Sequence, residues 1–96
     1  MLHLISQPLE KQLLERIGAD DAVVFMADAV LGILAQGVWA GDLQSLLRRN
    51  RLYVLAEDRL IRGIEKPELT QGIADIDYAG LVKLVCEHSV IQSWTL

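Results

Sequence analysis

Two apolar patterns alternate along this chain, and their alternation predicts its architecture. Met1 to Ile5 is a short apolar run that stops at Ser6, with Pro8 next, and it reads as a first strand. Apolar residues then recur at helical spacing at Leu9, Leu13, Leu14 and Ile17, so a helix is expected over Leu9 to Ile17, with Gly18 as its exit. Pro8 fits just before or inside the first turn, where its missing N–H would have had no partner anyway. Ala22 to Ala27 shows no polar alternation, the pattern of a strand covered on both faces and hence central in a parallel sheet. Asp28 stands where it could cap a following helix, Ala29 to Ala35. That helix is apolar around most of its circumference (Val30, Leu31, Ile33, Leu34), so one side should meet the sheet and the other something outside the subunit.

Beyond a Gly-Val-Trp-Ala-Gly break, the chain repeats the scheme. Asp42 to Arg49 reads as a helix, Arg51 to Ala56 as a strand, and Glu57 to Gly63 as a short helix with a glycine stop. Lys66 to Gly72 reads as a connector, Ile73 to Ile76 as a fourth strand, Asp77 to His88 as a capped amphipathic helix, and Val90 to Trp94 as a terminal strand. Strands alternating with helices imply one three-layer α/β domain over residues 1–96, with a mainly parallel sheet of about five strands and right-handed crossovers. No repeat, low-complexity tract or linker divides it. Ala22 to Gly41 is apolar and long enough to raise the question of a membrane span, but Asp28 at its centre would cost about 2.5–3.5 kcal/mol. A buried strand followed by a buried helix is the better reading.

Composition adds a constraint. Apolar residues make up 52% of the 96 residues, while so short a chain buries only about 60–70% of its unfolded surface. Surplus apolar surface should stay uncovered on a lone subunit, which favours association. Thirteen acidic and nine basic residues leave a net charge of -4, without the clustered Lys and Arg of a nucleic-acid binder. The one dense basic stretch, Arg48-Arg49-Asn50-Arg51, reads as a solvated helix end, where cations meet the negative end of the helix dipole. A single cysteine excludes an intramolecular disulfide, and no basic residue or long apolar segment of signal-peptide type opens the chain, so a cytoplasmic location is expected.

Candidate chemistry is sparse. Cys86 lies near the C-terminal end of the last predicted helix beside Glu87, and both neighbours disfavour a thiolate. About 100° round the helix from Val85, it reads as a small hydrophobe at the margin of the core stripe formed by Tyr78, Leu81, Val82 and Val85. His3 and His88 are too few for a zinc site, and Cys86-x-His88 lacks helical ligand spacing. His88 suits the carbonyl end of its helix, and His3 a core or interface hydrogen bond. Asp28 and Asp58 follow strand ends where α/β sheets bind ligands, yet helix capping explains both, and no glycine-rich phosphate loop accompanies them. No serine stands in a nucleophile-elbow context. Trp39, Tyr78 and Trp94 are large aromatics of the type that anchors protein interfaces.

The last quarter, Asp77-Tyr78-x-x-Leu81-Val82-x-Leu84-x-x-x-His88 followed by Gln92-Ser93-Trp94, resembles the TusB/DsrH family of small sulfur-relay subunits. Three further pieces agree in order: Met1-Leu2-His3; Asp20-Asp21-Ala22-Val23-Val24 leading to Asp28-Ala29-Val30; and Leu52 to Asp58 with Arg62-Gly63. The resemblance implies a flavodoxin-like α/β fold of the DsrEFH type. Some DsrH-type members carry a cysteine near the end of the first helix, where this chain has Gln12-Leu13-Leu14-Glu15-Arg16, so TusB-type members, which lack a catalytic cysteine, are the nearer match. What that implies is a non-catalytic subunit, without cofactor or metal, that joins TusC-like and TusD-like partners in a hetero-oligomer. Such a complex relays sulfur from a TusA-like donor to a TusE-like acceptor for 2-thiolation of the tRNA wobble uridine. Two alternatives stand beside it: a DsrH-like persulfide carrier using Cys86, and a homo-oligomeric structural protein with no sulfur role.

Overall fold

The computed structural model describes residues 1–95. Its strands are β1 (Leu2–Ile5), β2 (Ala22–Phe25), β3 (Arg51–Leu55), β4 (Ala74–Ile76) and β5 (Ile91–Trp94), and they form one sheet in the order β4-β3-β2-β1-β5. Every neighbouring pair is parallel. Around the sheet lie α1 (Lys11–Glu15), α2 (Ala40–Leu47), α3 (Ala56–Ile61) and α4 (Tyr78–Glu87), with 3-10 segments at Ala27–Ile33 and Lys66–Glu68. The three-layer α/β reading and the number of strands agree with the sequence pattern.

Strand order dictates where the helices go. The chain steps outward from β1 to β4, then returns past its start to place β5 on the far side of β1. Because parallel crossovers are right-handed, reversing the direction of travel moves the connecting helix to the opposite face of the sheet. One face therefore packs α1, α2 and the 3-10 segment, while α4 lies against the other.

The two faces are filled very unequally. Side chains alternate along each strand, so Ile5, Val23, Phe25, Leu52 and Val54 point one way, into a buried cluster of sixteen residues that includes Leu13, Ile17, Val30, Ile33, Leu43 and Leu69. On the opposite face only Leu2, Ala22 and Val24 form a fully buried cluster, with Leu4, Tyr53, Ile76, Leu81, Leu84 and Val85 half-buried around it. The sandwich is thick on one side and thin on the other.

Two expected caps are not formed. In place of an α-helix capped by Asp28 over Ala29 to Ala35, the chain enters a 3-10 segment through Ala27 at φ 51°, with no side-chain cap. The free Ala27 N–H is taken by Asp58, 2.6 Å away across the fold, while Asp28 turns outward to Arg62 at 3.4 Å. Asp58 thus caps another segment instead of its own helix α3, which begins at Ala56 without a side-chain cap. The segment packs closely on α1's approach: a Cβ on Gly32 would meet the Leu9 side chain at 2.8 Å, so glycine permits this contact. The end of the segment is fastened by Thr70 N–H donating to Ile33 O and Ala35 N–H to Glu68 O. As expected, it buries one side (Ala29, Val30, Ile33) and leaves Leu31 exposed.

Candidate partner-binding face

The thin side of the sandwich concentrates the features that a partner could use. Helix α4 starts where Asp77 accepts the Gly80 N–H at 2.8 Å, a side-chain cap that satisfies one of the free donors of the first turn. It ends where His88 Nδ1 meets Leu84 O at 2.8 Å, which places the imidazole on the carbonyl end of the helix. A Cβ on Gly80 would lie 3.2 Å from Ile76, so glycine allows α4 to sit close to the β4 end of the sheet.

Between these ends the helix is richly apolar, yet no residue of it is fully buried. Leu81, Leu84 and Val85 face the small cluster under the sheet. Tyr78 and Val82, one turn apart on the same outer stripe, remain 55% and 60% exposed. Tyr78 N–H donates to Glu57 at 3.3 Å and ties α4 to α3, whose Leu60 and Ile61 are also exposed. At the other margin Val90 and Ile91 lie exposed at the β5 edge, beside the half-buried Leu4. Apolar side chains that a monomer leaves in water on this scale are characteristic of interaction surfaces.

A buried polar network anchors the β5 side. His3 is 1% exposed. Trp94 Nε1–H donates to His3 Nδ1 at 3.1 Å, and since an indole can only donate, the imidazole proton must sit on Nε2. Nε2 in turn lies 2.8 Å from Asp21 Oδ2, to which it donates. The rings of His3 and Trp94 stack with centroids 6.3 Å apart, and the Arg16 guanidinium lies 5.9 Å from the Trp94 ring centre. Burial pushes the Asp21 carboxyl up. Hydrogen bonds from His3 and the Gly18 N–H, with the Met1 amine 3.4 Å away, together outweigh that and hold it below its ordinary value of 3.8.

The residues singled out in the sequence are scattered. Trp94 is half-buried within its own chain, against His3 and the thick-side core. Tyr78 sits on the outer stripe of α4. Trp39 lies on the opposite side, half-buried against the large core, at a cavity of about 510 Å³ shared with Leu9, Leu31 and Val38. Cys86 is exposed in the last turn of α4, not at the margin of the core, because Leu81, Leu84 and Val85 point to the sheet and position 86 falls one step past them. Among the described residues no three His, Cys, Asp or Glu side chains converge in a metal-holding arrangement, and no helix is long and apolar enough to cross a membrane.

Sequence reasoning passed over three charged residues that organise the fold. Arg59, 6% exposed, grips Asp75 with Nε at 3.0 Å and Nη2 at 2.7 Å, and donates from Nη1 to Ile64 O at 2.8 Å. The Asp75 pair raises the pKa of this arginine further, against burial, so it stays charged. Asp21 is the third. An aspartate inside the short strand Ala74–Ile76 was the one available signal, since charged residues are seldom placed in strands without a partner.

Comparison with known proteins places this geometry in a family. A solved structure of a protein of unknown function, MTH1491 from Methanobacterium thermoautotrophicum, superposes with a TM-score of 0.76 over 96% of this chain and 95% of that one, at 14% identity, a likeness of fold. No curated protein matches the chain. The family model described as "DsrH like protein" matches residues 7–91. That span begins just after β1 and runs through β2, β3, β4 and all four helices to the first residue of β5, and on it the chain belongs to the DsrH-like family.

Proposed function

We propose that this chain is the TusB-type, non-catalytic subunit of a sulfur-relay complex, and that TusC-like and TusD-like partners dock on its thin side. The complex it completes passes sulfur from a TusA-like donor to a TusE-like acceptor in the cytoplasm, for 2-thiolation of the tRNA wobble uridine. The family supports the relay role. The observation that carries the docking role is the imbalance of the sandwich: among the described residues, a helix of ten residues with none fully buried is the only layer over that face of the sheet. A second subunit would bury Tyr78 and Val82 and supply the missing cover.

Catalysis falls to the partner on this reading. Cys86 stands at the carbonyl end of α4 beside Glu87, where a thiolate gains nothing from the helix dipole. Its exposure favours a second reading, in which it carries a persulfide itself. Incubation with a sulfane donor followed by intact-mass measurement separates the two. Wild type and Cys86→Ala should support relay equally in the reconstituted complex. Added sulfur on wild type alone, with turnover lost in the variant, would replace the first reading by the second. Co-expression with the TusC-like and TusD-like chains should give one stable hetero-oligomer, and recovery of this chain only with itself would favour a homo-oligomer with no sulfur role.

A further inference from the structure

The basic stretch at the end of α2 has a second side that its sequence does not reveal. Arg48, Arg49 and Arg51 line a groove of about 540 Å³ at the N-terminal edge of β2 and β3, shared with Tyr53, Glu87 and His88. Among the described residues, these three arginines have no carboxylate within 4.0 Å; the same holds for Arg16, which lies over the Trp94 ring, and for Lys83, but neither of those lines the groove. In a chain of net charge -4, three arginines without partners in one concavity are not explained by composition.

The turn that holds them is well fastened. Asn50, between them in sequence, is buried, and its Nδ2 donates to Gly18 O at 2.6 Å and to Asp21 O at 3.0 Å. Asp20 N–H donates to Arg49 O at 3.0 Å, and Asn50 N–H to Leu46 O at 2.8 Å. The arginines therefore project from an ordered backbone, which lowers the ordering cost of binding. On the α4 side, His88 uses Nδ1 on Leu84 O and keeps Nε2 for another partner.

We propose that this groove binds a small sugar phosphate. Guanidinium forks match phosphate oxygens, and a cleft focuses their positive field. The groove has the size of a site for one small ligand, within the usual range of about 300–1,000 Å³. Its two carboxylates, Asp20 and Glu87, argue for the rest of the molecule. They would repel the next phosphates of a nucleic-acid strand, but they accept hydrogen bonds from hydroxyl groups. One phosphate with hydroxyls attached satisfies both kinds of side chain.

The test is a titration of the isotope-labelled full chain with ribose 5-phosphate, followed by amide NMR shifts. Saturable shifts confined to Arg48–Arg51, Tyr53 and the end of α4 are expected at submillimolar concentration. Arg48→Gln/Arg51→Gln should weaken binding about tenfold or more with the melting temperature unchanged. Ribose alone should not bind, and inorganic phosphate should bind more weakly. Absence of saturable shifts up to about 10 mM overturns the proposal. Equal affinity for inorganic phosphate removes the sugar from it. Tighter binding of a single-stranded RNA oligomer at the same residues, with a steep salt dependence, makes the groove a nucleic-acid contact instead.

Discussion

Replacing Val82 by aspartate tests the docking face directly, because the side chain is mostly solvent-exposed in the free subunit and central to the outer stripe of α4. Fully burying a valine is worth about 1.5–3 kcal/mol, and with 60% of Val82 still exposed about 1–2 kcal/mol of that remains for a partner to capture. Aspartate forfeits this, and a carboxylate left unpaired in the interface adds about 3 kcal/mol or more. The sum, about 4 kcal/mol or more, corresponds to roughly a thousandfold loss of affinity. The isolated subunit should hardly notice: valine and aspartate have nearly equal helix propensities, so the melting temperature should shift by a few degrees at most. Titration calorimetry against the purified TusC-like and TusD-like pair measures the affinity, and a thermal melt of each variant checks the fold. Gln44→Asp, on the exposed side of α2, is the control and should bind as wild type. A folded Val82→Asp protein that binds its partners with unchanged affinity would refute the placement of the interface on α4.

Three further outcomes follow from the buried polar groups. Arg59→Ala leaves the Asp75 carboxylate, 16% exposed, with only Lys66 at 4.0 Å, and should destabilise the subunit by about 3 kcal/mol in a urea titration, with Arg59→Lys recovering only part because a lysine cannot form the fork. Trp94→Phe keeps an aromatic ring, though a smaller one, and removes the donor to buried His3 Nδ1; it should cost about 1–3 kcal/mol, and an unchanged melting temperature would show that this bond contributes nothing. Asp21 has a depressed pKa in the folded chain, so its stabilisation is fully present above its ordinary 3.8 and is lost as pH falls below that through the folded value. Melting temperatures of wild type and Asp21→Asn should accordingly differ at neutral pH and converge in strong acid; a constant gap would rule out this linkage.

The chain's local patterns carried most of the fold. The continuous apolar run at Ala22–Phe25 marks a strand covered on two faces, Leu52–Leu55 marks another strand, and Asp77 marks the start of a capped helix; of the stripe expected on that helix, Leu81 and Val85 do face the sheet, but Tyr78 and Val82 stay exposed and Leu84 packs in their place. These are short-range properties, set by side-chain period and by the donors left free at a helix end. The caps assigned to Asp28 and Asp58 failed because an aspartate accepts from whichever N–H the tertiary fold brings near, and for Asp58 that was Ala27, thirty-one residues away. Pairings such as His3 with Asp21 and Trp94, or Arg59 with Asp75, likewise join residues distant in sequence, and no local pattern announces them.

Composition indicated that apolar surface would be left over, but not where. That was decided by strand order: β5 returns to the far side of β1, and the single crossover in that direction leaves α4 alone to cover one face of the sheet. The same return brings the end of α4 beside the turn after α2, so that His88 and Glu87 share a groove with arginines some forty residues earlier. Side-chain period and composition are written into the chain one short window at a time; which helix is left exposed, and which charges meet, depends on how distant segments are stacked.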